Sequence, residues 1–305
     1  MRVTTKMLTS NFQRNMNTSL SKFQKLQNQL ASGKVVTKPS DHPFLATRIM
    51  DYNTEIARKE QFESNIQDVT EFMDVTDSVL SQVTDQLNRF KELTVKAANG
   101  TNTDDDLKII AAEFDELMKT TVDTLNTSFN DKYIFAGTAT NTKPFELVNG
   151  KIQFNGNDNK TEIEIAKGVY VGKNISGAEV LGGVVETDAN GTTTTYNLFD
   201  SLGKISEALK NGDRDQLNQF MPHVDSHIDN VLQIQGKVGS VQNRMDIMLD
   251  KTKEEILGLT ELLSNAQDVD YAEKFIDYMS LQASYQATLQ ISSQIIQPSL
   301  LDFLR

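Results

Sequence analysis

Two stretches of this chain repeat apolar residues every seven positions over a long span, and no other feature limits the fold as much. The first reads Ile66, Val69, Met73, Thr76, Leu80, Val83, Leu87, Phe90, Thr94, Ala97, with eight of its ten positions apolar. The second reads Val231, Ile234, Val238, Val241, Met245, Met248, Thr252, Glu255, Leu259, Leu262, Ala266, Val269, and ten of its twelve fit. Leu107, Ile110, Phe114 and Leu117 repeat the pattern more briefly. Alternating steps of three and four place such residues on one stripe of a helix. Stripes this long are buried when helices pack side by side in a coiled-coil-like bundle.

Glycine divides the chain between these stretches. Of 16 Gly, residues 1–130 hold two, residues 131–212 hold eleven and residues 213–305 hold three. Because Gly weakens a helix interior, the flanks read as helix and the centre as turns and strands. Lys151-Ile152-Gln153-Phe154 and Thr161-Glu162-Ile163-Glu164-Ile165 alternate polar and apolar residues. Asn149-Gly150, Asn155-Gly156 and Asn190-Gly191 are hairpin-type turn signals. Four Thr lead to Tyr196, after which Leu198, Leu202, Ile205 and Leu209 return to helical spacing. The expected fold is mainly α, with long antiparallel helices from both chain ends in one bundle and a small inserted β domain. The bundle is expected over 44–137 and 198–270, and the insertion over 138–197. Residues 1–43 and 271–305 are set apart as the two halves of a terminal helical domain.

Local punctuation agrees. Pro39-Ser40-Asp41-His42-Pro43 breaks the first helical stretch and offers caps for the next. Asn99-Gly100 closes the second helix, and Thr103-Asp104-Asp105-Asp106 opens the third with carboxylates at the positive end of its dipole.

The two extremities differ from the rest. Residues 1–43 carry seven Lys/Arg and one acid in a chain of net charge −12. Leu8, Phe12, Met16, Leu20, Phe23, Leu26 and Leu30 form one narrow apolar stripe there. From Tyr278 to Leu301 no residue is charged: the polar positions are Gln and Ser, and the apolar ones include Leu281, Tyr285, Leu289, Ile291, Ile295 and Ile296. Charge keeps free surfaces from associating, whereas charges packed between neighbours are costly to desolvate. Such a helix suits a place among copies of itself. Docking on its own chain, or a basic helix lying on a membrane, are the competing readings.

Chemistry is harder to find. With no Cys and no Trp, thiol chemistry and Cys-ligated metals are excluded, and the acidic balance argues against a general nucleic-acid binder. No run of 18 apolar residues and no N-terminal h-region are seen, so neither a membrane span nor a cleaved secretory signal is expected. His223 and His227 have metal-compatible spacing but lack the Glu of a zinc-protease helix. Asn155-Gly156-Asn157-Asp158-Asn159 lacks the sixth-position Gly of a calcium loop and reads as a hairpin turn. Gly33-Lys34 lacks the rest of a phosphate-binding loop. No catalytic set, metal or cofactor is expected.

Three blocks carry a resemblance. They are Met1-Arg2-Val3-Thr4-Thr5-Lys6-Met7, the stretch Leu30 to Pro43 containing Ala31-Ser32-Gly33-Lys34 and Pro39-Ser40-Asp41, and the end Gln297-Pro298-Ser299-Leu300-Leu301-Asp302-Phe303-Leu304. Together they closely resemble the hook-associated protein 3 family of the bacterial flagellar hook–filament junction, relatives of flagellin. Ala97-Ala98-Asn99-Gly100-Thr101, Tyr133-Ile134-Phe135-Ala136-Gly137 and Lys143-Pro144-Phe145 look like that family too. Asp41-His42 stands where the family usually has two acids, and Val35 where a basic residue is common.

The resemblance implies a non-enzymatic adaptor, exported unfolded by the flagellar type III apparatus without signal cleavage and placed in the extracellular flagellum. It implies as partners hook-associated protein 1, flagellin, further copies of the chain and an export chaperone, with neither nucleic acid nor membrane. It implies terminal helices disordered in the monomer that fold on assembly. Leu8, Phe12, Met16, Leu20, Phe23, Leu26 and Leu30 would then pack with Leu289, Ile291, Ile295, Ile296, Leu300, Leu301 and Phe303. The chaperone would cover Leu281, Leu289, Ile295 and Leu300. A filament flagellin, or a coiled-coil adhesion or signalling protein, are the alternatives.

Overall fold

A computed structural model describes residues 5–99, 102–148, 151–187 and 193–295. The described chain forms two compact units, one of residues 1–59 and 254–305, the other of residues 60–253. The elements in chain order begin with α1 (Thr5–Ser32), α2 (Pro43–Ala98) and α3 (Asp104–Leu125). The insertion follows, and then α5 (Leu198–Asn211), α6 (Arg214–Gln267) and α7 (Tyr271–Ile295). None of the described helices is long and apolar enough to cross a membrane.

In the 60–253 unit the heptad stripe of α2 is the spine of the core. All ten stripe residues from Ile66 to Ala97 are at most 2% exposed. The two polar members do not break it: Thr76 and Thr94 donate to the carbonyls of Phe72 and Phe90, each at 2.8 Å. A threonine bonded back to its own helix leaves no unpaired group and presents its methyl to the core. The α6 stripe buries Val231, Ile234, Val238 and Met245. Lys91 Nζ meets Asp225 at 2.7 Å, and Gln242 donates to Asp74 at 2.7 Å, so the helices run antiparallel. The third helix opens on a capping box. Thr103 Oγ1 accepts from the Asp106 N–H at 3.3 Å, and the Asp106 carboxylate accepts from the Thr103 N–H at 3.0 Å. Hydrogen bonds from Thr103 hold that carboxyl below its ordinary range.

The insertion consists of four antiparallel two-stranded ladders. β1 (Ser128–Phe129) and β2 (Lys132–Tyr133) precede the region expected to be β. Their turn residues Asn130 and Asp131 have φ of 51° and 60°, the pair of left-handed residues a tight hairpin demands. β3 (Phe145–Val148) pairs with β4 (Lys151–Phe154), and β5 (Glu162–Ala166) with β6 (Val169–Gly172). After the short α4 (Gly177–Leu181), β7 (Val184–Thr187) pairs with β8 (Thr193–Tyr196). Asn149-Gly150 and Asn190-Gly191 lie outside the described residues.

Asn155-Gly156 is not a hairpin turn, contrary to the expectation from sequence. The strands on either side of it pair with other partners. Gly156 is needed for close approach, because a Cβ there would sit 2.6 Å from the Phe154 ring and 3.2 Å from the Ala136 Cα. Asn157 Oδ1 accepts from the Thr138 N–H at 2.9 Å, tying this loop to the preceding one. Phe145 seats the insertion on α5 through rings 5.9 Å from Phe199 and 5.4 Å from Phe154.

Candidate assembly interface

The first unit is built from the terminal stripe upward. α1 and α7 pack against one another, and their register is read from two places. Phe23 stacks on Tyr278 at 4.8 Å, while the connector just after α1 meets the connector just before α7 through backbone bonds. The helices therefore run antiparallel.

The connectors on either side of this pair are clasped. Val35 N donates to Gln267 O at 2.7 Å, and Val269 N donates to Gly33 O at 3.0 Å. These two bonds flank an antiparallel bridge between Lys34 and Asp268. Gln29, buried at the end of α1, donates to Val35 O at 2.6 Å. Gly33 is required by conformation and by space: its φ is +70°, and a Cβ would stand 2.6 Å from the Tyr271 hydroxyl. Asp270 caps α7 by accepting from the N–H groups of Ala272 and Glu273 at 2.9 and 3.1 Å. On the first turn of that helix the Lys274 ammonium, bonded by Glu273 and then by Asp277, is held above the usual lysine range. His42 caps α2 through its Nδ1, which accepts from the Leu45 N–H at 3.2 Å.

The burial contrast between the units is sharp. Every member of the large apolar core cluster lies between Ile66 and Met245, within the 60–253 unit. Among the described residues of the other unit, only the apolar side chains of Ala46 and Val269 are buried. Of the sequence-predicted stripe, Phe12, Met16, Phe23, Leu26 and Leu30 are half-buried, and Leu20 is 40% exposed. On α7, Leu281 is half-buried, while Leu289 and Ile291 are 42% and 55% exposed. Tyr271, Phe275, Ile276 and Met279 add further exposed apolar surface on the same helix. The side chains of Leu8 and Ile295, and the residues Ile296, Leu300, Leu301 and Phe303, lie outside the described residues. The structure thus brings the α1 stripe onto α7 and leaves it half covered.

Sequence reasoning missed the clasp, although it had both halves. Gly33-Lys34 was noted only as an incomplete phosphate-binding loop and as part of a resemblance, and Val269 as the last member of a heptad. Only the backbone pairing between residues more than 230 positions apart joins them. The histidine pair noted for its spacing lies in the other unit and is buried. Among the described residues no group of three His, Asp or Glu is arranged to hold a metal ion.

Comparison with known proteins assigns this architecture. The bacterial flagellin N-terminal helical region matches residues 3–140, and the flagellin C-terminal helical region matches residues 221–304. The chain belongs to the flagellin family. It is 27% identical to the flagellar hook-associated protein 3 of Escherichia coli K12, with 94% of this chain and 96% of the relative covered. The protein of the same name from Salmonella typhimurium is 26% identical, with 94% and 95% covered. A putative flagellar hook-associated protein from Vibrio parahaemolyticus shares the fold, with a TM-score of 0.66, 20% identity, and 75% of this chain and all of that one covered.

Proposed function

We propose that this chain is the structural adaptor at the hook–filament junction of a bacterial flagellum, joining hook-associated protein 1 to the flagellin filament. One observation carries the mechanism: the apolar core stops short of the α1–α7 unit, which pairs its stripes without burying them. Full burial of a Leu or Phe is worth about 1.5–3 kcal/mol, and a half-covered stripe collects only part of it. Fixing each backbone residue costs about 1–2 kcal/mol. A lone α1–α7 pair is therefore near balance, and neighbouring subunits supply the missing burial.

In this reading the halves 1–43 and 271–305 order fully only on assembly. Leu8, Phe12, Met16, Leu20 and Phe23 pack there with Leu289, Ile295, Ile296, Leu300 and Leu301. Before assembly, a cytoplasmic chaperone covers Leu281, Leu289, Ile295 and Leu300, and the type III apparatus exports the chain unfolded to the outside of the cell. The absence of Cys suits that route, since no disulfide has to form after transit.

Deleting the gene tests the junction role. Hooks that are complete but bare, with flagellin monomers leaking into the medium, are the expected result; normal filaments on the mutant contradict it. The purified chain separates the adaptor from a filament flagellin. An adaptor stays short of long filaments until a hook-associated partner is added, whereas a flagellin polymerises alone.

A further inference from the structure

The 60–253 unit buries two histidines that the assembly role does not use. His223 and His227 sit one turn apart on α6 at 6% and 2% exposure, and both face Ser201 of α5, which is fully buried. Ser201 Oγ lies 3.1 Å from His227 Nε2 and 3.5 Å from His223 Nδ1. Around them, Glu186 of β7 stands 4.0 Å from His223 Nε2 and is itself bonded by Gln219 at 2.6 Å. Tyr196 of β8 places its ring 5.7 Å from that of His223. Asp225, between the two histidines in sequence, is engaged by Lys91 of α2 at 2.7 Å. Among the described residues no carboxylate lies within ion-pair distance of His227.

A serine hydroxyl has one proton to give and two lone pairs to offer. Between two imidazole nitrogens it is satisfied when one ring donates to Oγ and Oγ donates to the other. If both rings are cationic, both facing nitrogens carry protons, the hydroxyl proton loses its acceptor, and two charges share a desolvated site.

We propose that Ser201 and the His223–His227 pair form an acid-sensitive latch that holds α5 on α6 at neutral pH and releases it on acidification. Burial, and next the proximity of His223, push the His227 pKa down to about 4. The sign follows: the unfolded chain takes up a proton near pH 6.5 that folded His227 refuses, so stability is lost as pH falls from about 6.5 towards 4. One such proton changes the folded-to-unfolded ratio by up to about tenfold per pH unit, or roughly fifteenfold between pH 6.5 and 5.

The test is denaturant unfolding of the full chain between pH 7 and 4.5, native against His227→Gln, with histidine-resolved NMR titration of the native chain beside it. Glutamine keeps a polar contact for Ser201 and cannot take the proton. The proposal expects the folded-to-unfolded ratio to fall about fifteenfold more in the native chain than in the variant between pH 6.5 and 5. It also expects the His227 ring to stay neutral at pH 5.5, with backbone exchange at pH 5 rising first in residues 198–211. If the variant does not fold, the NMR titration decides alone. An unchanged pH slope in the variant, or a His227 ring that titrates between pH 6 and 7, overturns the proposal.

Discussion

Leu87 and Leu20 are the same residue type on helices of the same kind, yet the structure gives them opposite duties. Leu87 is fully buried in the bundle core, and Leu87→Ala is expected to cost about 2–5 kcal/mol in urea unfolding of the isolated chain. Leu20, 40% exposed on α1, is expected to behave otherwise. Leu20→Ala should shift the unfolding of the dilute chain by less than about 1 kcal/mol, while lowering its incorporation at hook tips in a motility complementation assay. A large loss of stability in the dilute chain with Leu20→Ala contradicts the division of labour. Gly33 admits a prediction from backbone alone. At φ +70°, with the Tyr271 hydroxyl 2.6 Å from where a Cβ would stand, Gly33→Val must strain the turn or break the clasp with Val269. A left-handed residue with a Cβ costs about 1–2 kcal/mol. Hydrogen exchange at the Val35 and Val269 amides should therefore accelerate in the variant, and unchanged exchange at both refutes the clasp. Thr94 marks the opposite case. Its hydroxyl bonds only to its own helix, so Thr94→Val should leave urea stability within about 1 kcal/mol.

At the scale of elements, what could be read from sequence was what repeats locally. The stripes at Ile66–Ala97 and Val231–Met245 are burial written at helical period, and the structure buries them in antiparallel α2 and α6, with only Val241 half-buried. The Thr103–Asp106 capping box is likewise local: four residues contain all its partners. Thr103→Ala should cost about 1 kcal/mol in unfolding measurements, and no change would deny the cap its role. Elements defined by distant partners escaped. Asn155-Gly156 carries a hairpin composition, but the Phe154 ring and Ala136 backbone need a glycine there for space, and the adjoining strands pair elsewhere. The β1–β2 hairpin went unnoticed because its strands are two residues long and leave no alternation to read. His223 and His227 had a visible spacing, but their partner Ser201 arrives from α5, and nothing in the local sequence announces it. The half-covered stripe on α1 was legible as a narrow apolar face, and its antiparallel register against α7 was not.

At the scale of the molecule, the uneven distribution of core organises the account. A 60–253 unit with a continuous apolar core is equipped to stand alone, and a terminal unit with two buried apolar side chains among its described residues is not. In the proposed assembly, the uncharged stretch from Tyr278 to Leu301 would let that part of α7 lie among copies without burying charge. Amide hydrogen exchange on the dilute full-length chain, compared with the chain assembled at the junction, tests this most directly. The account predicts rapid exchange over residues 5–32 and 271–295 in the dilute protein, strong protection over 66–97 and 224–249, and protection of all four segments after assembly. Equal protection of the terminal helices and the core in the dilute chain would contradict it.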